Sequence, residues 1–224
     1  MATKRKKKSL QISYNAPVTL TFSIVTVVIL LFDQFIFTGM IDSFFTAPGA
    51  IGSEYAFKWK NPLDYLRLFS HVLGHKTWAH LLGNLSFILL LGPLLEERYG
   101  SKMLMLMMAT TAMVTGVLNA AFIPRGMLGA SGVAFMMILL SSFTAISKNQ
   151  IPLTFIFVLV LFLGQEIMTS FGNKDIAVLA HVAGGLCGSL FGFLNAYKPP
   201  KSSSAKKVAA AEENGRASPS ESDL

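Results

Sequence analysis

Long runs of apolar residues separated by short polar breaks make up most of this chain. A helix needs roughly 20 apolar residues to cross about 30 Å of hydrocarbon. Six segments come close to that length: residues 17–38, 78–95, 103–123, 128–146, 151–171 and 176–197. The pattern therefore predicts an all-α membrane protein built as a bundle of six transmembrane helices.

The two ends of the chain have a different character. Residues 1–16 contain the basic run Lys4-Arg5-Lys6-Lys7-Lys8, and residues 198–224 are rich in Lys, Ser, Ala and Glu with little that could be buried. We expect a basic N-terminal segment at 1–16, a membrane domain at 17–197 and a disordered tail at 198–224. The first apolar segment is long and no small-residue cleavage site follows it, so it predicts a retained helix rather than a secretory signal.

Composition excludes a soluble protein. Of the 224 residues, 52% are hydrophobic and 14% charged, and the mean hydropathy is +0.54. The net charge of +7 is concentrated at the two ends, where basic clusters flank membrane spans, so we expect contact with membrane lipid and no nucleic-acid partner. The single cysteine, Cys187, cannot form an intrachain disulfide, and in its apolar run it is expected to pack as a small hydrophobe.

The lysines and arginines predict the orientation. With the N-terminus inside, thirteen of them lie on the inner side and six on the outer side. This bias predicts that both termini are cytoplasmic. A short chain with six spans and no targeting extension is typical of a prokaryotic plasma (inner) membrane.

Polar residues occur near the start of every second span. His80 and Asn84 open the second, Ser131 the fourth and His181 the sixth. If the six helices alternate in direction, these three enter from the outer face, and the polar groups share a layer roughly 5 to 10 Å below it. His80 and Asn84, four residues apart, project from one helical face. Polar groups gathered at one depth within a membrane predict a functional site.

This layer contains the groups needed for nucleophilic catalysis. The Ser131 hydroxyl needs a base to take its proton, and His181 is a histidine at matching depth on another helix. Gly184 and Gly188 in the sixth span, and Gly132 with its alanine neighbours in the fourth, would let the two backbones approach closely. Taken alone, Gly-x-Ser-Gly is a weak signal, expected by chance in roughly one chain in ten, and a lone helical serine more often bonds a carbonyl of its own helix.

The motifs as a set resemble the rhomboid family of intramembrane serine proteases over about residues 61–197. The family's motifs fall on His80 and Asn84, on Glu96 and Arg98, on Gly129 to Gly132, and on Ala180 to Gly184. The resemblance implies a Ser131–His181 dyad without an acidic third member and without a cofactor or metal. It also implies an oxyanion hole formed by His80, Asn84 and the Ser131 amide, and cleavage of single-span membrane proteins near the outer leaflet. The loop 39–77 is then expected to lie partly in that leaflet.

The chain departs from the family at two positions. The family's Trp-Arg pair in the loop is Leu66-Arg67 here, and the aromatic residue four positions after the serine is Phe135. Phenylalanine can stack on an imidazole ring but cannot donate a hydrogen bond.

Several polar residues have alternative interpretations. His71 and His75 could bind a metal but more often would be hydrogen-bonding loop residues. We expect Glu96, Glu97 and Arg98 to form a structural clamp, and Glu166 to pack or gate rather than orient a histidine.

Two other functions also compete with proteolysis. A carrier or channel would show mid-helix charges or broken helices. A non-proteolytic relative that binds membrane helices would lack the serine or the histidine, and both are present in the sequence.

Overall fold

The computed structural model describes residues 14–146 and, further along the chain, residues 153, 156, 157, 160, 161, 164, 182, 184–187 and 190. Residues 14–146 form six helices and a 3-10 turn at His71–Leu73. The helices are α1 (Pro17–Phe35), α2 (Met40–Phe44), α3 (Pro62–Ser70), α4 (Trp78–Tyr99), α5 (Ser101–Phe122) and α6 (Ser131–Ile146). The described part of the chain is thus helical, and its only β-structure is two isolated bridges.

Three helices within the described residues, α1, α4 and α5, are long and apolar enough to cross a membrane. They correspond to the first three predicted spans. The fourth predicted span is a helix of 16 residues. It begins at Ser131, later than the predicted position 128, because Gly129 has a φ of 116° that no helix accommodates. Most of spans 151–171 and 176–197, and the terminal segments 1–13 and 198–224, lie outside the described residues.

Glu96, near the C-terminal end of α4, forms hydrogen bonds with the start of α1. One carboxylate oxygen accepts the Val18 N–H at 2.9 Å, and the other accepts the Thr19 N–H at 3.0 Å and the Thr19 hydroxyl at 2.9 Å. These N–H groups belong to the first turn of α1, which has no intrahelical acceptor for them. Close by, a β-carbon on Gly92 would lie 2.5 Å from Thr19 Cγ2. The predicted clamp is therefore confirmed for Glu96, whereas the neighbouring Glu97 is exposed.

Helix α6 is enclosed by the other elements at its start. Every residue from 131 to 138 is buried, and the helix packs mainly against α4 and α5. A helix buried on all sides must be apolar all round, as the sequence Val133 to Leu140 is. Ser131, at the first position, is the polar exception.

The loop 39–77 is fixed to the rest of the chain at several points. Ala47 forms a two-way backbone bridge with Met127, and the Asn119 side chain donates to the carbonyls of Pro48 and Arg125. Arg67 donates to the Ser43 carbonyl and pairs with Asp64. The arginine retained in the Leu66-Arg67 pair thus anchors α2 to α3. The loop also contacts the connection between α5 and α6, the segment that leads to Ser131.

Candidate active site

His80 and Asn84 lie in the first two turns of α4. The Thr77 side chain accepts the His80 N–H at 3.2 Å and caps this helix. Asn84 is buried and His80 is half-buried. The four-residue spacing puts both side chains on one face of α4, as predicted.

The Gly129–Ser131 turn lies directly against that face. A β-carbon added to Gly129 would lie 2.6 Å from His80 Cε1 and 3.8 Å from Asn84 Nδ2. Only glycine can therefore occupy this position while the His80 ring stays where it is. Ser131 follows as the first residue of α6 and is 1% exposed. The structure thus places His80 and Asn84 against the turn that leads into Ser131.

His75 connects the two sides of this cluster, which the sequence interpretation did not foresee. Its ring Nε2 lies 3.1 Å from Asn84 Nδ2 and 3.2 Å from the backbone nitrogen of Ala130. The His75 and His80 rings also meet edge to face, with centroids 5.0 Å apart. His75 precedes α4, so no helical spacing in the sequence relates it to Asn84.

The hydrogen bonds define the protonation state of His75. Two N–H donors point at Nε2, so this nitrogen carries a lone pair and the ring proton resides on Nδ1. Burial, with a smaller contribution from the neighbouring His80 ring, lowers the pKa of His75 from 6.5 to about 3. The imidazole is therefore neutral at physiological pH.

His71 also bonds within the chain. Its carbonyl accepts the Gly129 N–H at 2.9 Å, and its ring Nε2 lies 3.1 Å from the Thr115 hydroxyl. Both His71 and His75 are thus hydrogen-bonding loop residues. Across the described residues, no group of three or more His, Cys, Asp and Glu side chains is arranged to hold a metal ion.

Small residues line the contact between α6, α5 and the later helical segment at 184–187. A β-carbon on Gly184 would lie 2.5 Å from Thr115 Cγ2 and 3.9 Å from Gly132 Cα, and one on Gly132 would lie 3.2 Å from Thr115 Cγ2. Gly185 packs against the buried Phe135 ring. The close approach predicted for Gly132 and Gly184 is therefore present.

Three residues singled out from the sequence, His181, Gly188 and Glu166, lie outside the described residues. Of these, His181 precedes Gly184 by three positions. The described part of the site offers a serine hydroxyl at a helix N-terminus, where backbone N–H groups have no intrahelical acceptor. The Asn84 amide and the His80 imidazole of α4 lie near Gly129, in the turn before this serine. Such a set can stabilise negative charge that develops beside the serine.

Comparison with known proteins gives two results. The family model described as the Rhomboid domain matches residues 62–198, a stretch that includes His80, Asn84, Ser131 and His181. The chain is also 25% identical over 133 residues to the rhomboid protease GlpG of Haemophilus influenzae. That alignment covers 58% of this chain and 69% of the relative.

Proposed function

The chain belongs to the rhomboid family and is an integral membrane protein, and we propose that it is a serine endopeptidase that cleaves transmembrane segments of single-span membrane proteins. Ser131 is the nucleophile and His181 the general base. The proposal depends on the close approach of Gly129, two residues before Ser131, to the His80 ring and the Asn84 amide. An amide and an imidazole beside the turn that precedes a buried serine are the kind of hydrogen-bond donors that acyl transfer uses.

The position of Gly184 supports the assignment of His181. Gly184 lies against Gly132, the residue after Ser131. Residues three apart in a helix are neighbours on its surface. His181 precedes Gly184 by three positions in the sequence, and this spacing supports its assignment as the base.

The reaction follows from these roles. The Ser131 oxygen attacks the carbonyl carbon of the scissile bond while His181 takes its proton. The tetrahedral intermediate then collapses, and His181 returns the proton to the leaving amine. Water, with His181 again acting as base, hydrolyses the acyl-enzyme. Loss of the base is expected to cost about 10² to 10⁴ in rate.

The oxyanion needs donors that are already in place. Ser131 is the first residue of α6, so its N–H and the positive end of the helix dipole face the developing charge. The Asn84 amide and a His80 ring N–H supply further donors from α4. Removing one such donor lowers turnover by roughly 10² to 10³.

The depth and orientation of the site define the expected cleavage position. The excess of basic residues on one side supports an orientation with both termini in the cytoplasm. Ser131 then lies toward the outer leaflet. A peptide bond inside an intact helix is shielded by its own hydrogen bonds, so cleavage is expected near residues that weaken the outer end of the substrate helix.

Covalent labelling with a fluorophosphonate probe tests the dyad. The purified protein should label at Ser131, and Ser131→Ala should not label. His181→Ala should label at least 100-fold more slowly, within the range expected for loss of a general base. Ser23→Ala is the matched control, since Ser23 is a buried helical serine that bonds the Thr19 carbonyl.

If His181→Ala labels as fast as the parent protein, the assigned base is wrong. A folded parent that does not label favours a helix-binding protein without protease activity.

A further inference from the structure

His75 joins two parts of the candidate site through a single ring nitrogen. Its Nε2 accepts from the Asn84 amide at 3.1 Å and from the Ala130 N–H at 3.2 Å. We propose that His75 is a positioning residue, whose lone pair fixes the orientation of the Asn84 carboxamide and of the Gly129–Ala130 peptide in the turn before Ser131. The proposal rests on the function proposed above, because it concerns the geometry of that reaction.

The Asn84 side chain needs an orienting partner. Its NH₂ and C=O ends have nearly the same shape, so packing alone does not distinguish the two flipped forms. An acceptor in contact with one end selects the form with the NH₂ group there. Since an amide nitrogen carries two hydrogens, one can bond to His75 while the other remains for an oxyanion.

The bond to Ala130 acts on the nucleophile's side of the site. Ala130 lies between Gly129, whose φ is 116°, and Ser131. Glycine leaves this turn intrinsically mobile. The bond from the Ala130 N–H to His75 fixes the plane of the Gly129–Ala130 peptide, one residue before Ser131. The direction of the Ser131 amide, a proposed oxyanion donor, is set by the same turn.

The surroundings of His75 suit an acceptor role. The side chain is 1% exposed, and the titratable group packed against it is His80 from α4. The adjacent Lys76 is directed to Asp42, with a nitrogen-to-oxygen distance of 3.1 Å. A proton on Nε2 would face two N–H donors and break both contacts. The low pKa of His75 agrees with a ring kept neutral.

Two substitutions of His75 test whether the site needs its hydrogen-bond acceptor or only a side chain of its size. His75→Gln keeps an acceptor, because the Gln side-chain oxygen and His Nε2 are the same number of bonds from Cβ. His75→Leu fills similar space without an acceptor. Each variant is compared with the parent protein in phosphatidylglycerol vesicles by kcat and KM for a single-span substrate, and by melting temperature.

If His75 is a positioning residue, His75→Gln should retain kcat within about threefold. His75→Leu should lose about 10- to 100-fold in kcat with little change in KM, because one oxyanion donor is then misplaced. A purely structural role predicts that both variants melt early and that turnover per folded molecule is unchanged. That second result would overturn the proposal, as would an equal loss of kcat in both variants.

Nitrogen NMR tests the contact without any need for activity. In protein labelled with ¹⁵N-histidine, the imidazole signals missing from His75→Gln belong to His75. We expect one of its nitrogens to remain unprotonated at pH 5, where a free histidine is mostly protonated. A protonated His75 at pH 5 overturns the positioning role alone. A parent protein that neither labels nor cleaves shows instead that the proposed function is wrong.

Discussion

Gly129 is the residue whose replacement most directly tests the packing of the site. Its φ is 116°, and a β-carbon there would lie 2.6 Å from His80 Cε1 and 2.8 Å from His80 Nε2. Gly129→Ala must therefore strain the turn and displace the His80 ring. We expect it to lower the free energy of unfolding by about 2–3 kcal/mol and to reduce cleavage at least tenfold.

Gly52→Ala provides the control for this prediction. Gly52 has a φ of 92° but nothing within 4 Å of its added β-carbon. Its substitution should cost only the backbone strain, about 1–2 kcal/mol, and leave cleavage per folded molecule unchanged. Chemical denaturation and cleavage assays on the same preparations measure both quantities. Equal activity in the two variants would show that contact with His80 is unimportant.

At the residue scale, the sequence predicted the cluster only in part. His80 and Asn84 were found because their spacing matches one helical face, and Ser131 because it begins an apolar segment. The sequence predicts His75 only as a hydrogen-bonding loop residue, since its contacts with Asn84 and Ala130 join a loop, a helix and a distant turn. No local periodicity encodes such a contact.

At the element scale, the start of α6 differs from the sequence prediction. Hydropathy defines where an apolar segment begins but not where helical dihedral angles begin, and Gly129 delays the helix until Ser131. The proposed function makes use of this shift. A serine three residues inside a helix would have its N–H bonded to a preceding carbonyl, whereas the N–H of a first residue has no intrahelical acceptor.

The contact of Gly184 with α5 and α6 gives a prediction at the same scale. Gly184→Ala places a methyl group 2.5 Å from Thr115 Cγ2. Overpacking of this kind costs about 1–3 kcal/mol and should move residues 184–187 away from Gly132, the residue after Ser131. We expect at least a tenfold loss of fluorophosphonate labelling at Ser131.

A second substitution should relieve this clash. Thr115→Ser removes the Cγ2 methyl but keeps the hydroxyl that contacts His71, so Gly184→Ala combined with Thr115→Ser should recover most of the labelling. Gly164→Ala is the neutral control, because nothing lies within 4 Å of its added β-carbon. If the double variant labels no faster than Gly184→Ala alone, the methyl contact does not control the site.

At the scale of the whole molecule, apolar segment lengths predicted the helical class and the first three spans. They could not predict how the loop 39–77 packs. Its bridge between Ala47 and Met127, and the bond from the Asn119 side chain to the Pro48 carbonyl, join segments about 70 to 80 residues apart in sequence, and each of these bonds ends on a backbone carbonyl. Backbone contacts leave little trace in the choice of side chains.

We propose above that this membrane protein cleaves substrate helices with Ser131. The most direct test incubates the purified protein, in vesicles, with a panel of single-span substrates and maps the product termini by mass spectrometry. We predict cleavage toward the outer end of the substrate helix by the parent protein, and no product from a Ser131→Ala variant that melts at the same temperature. Cleavage that persists in Ser131→Ala, or product termini in the cytoplasmic half of the helix, would contradict the account.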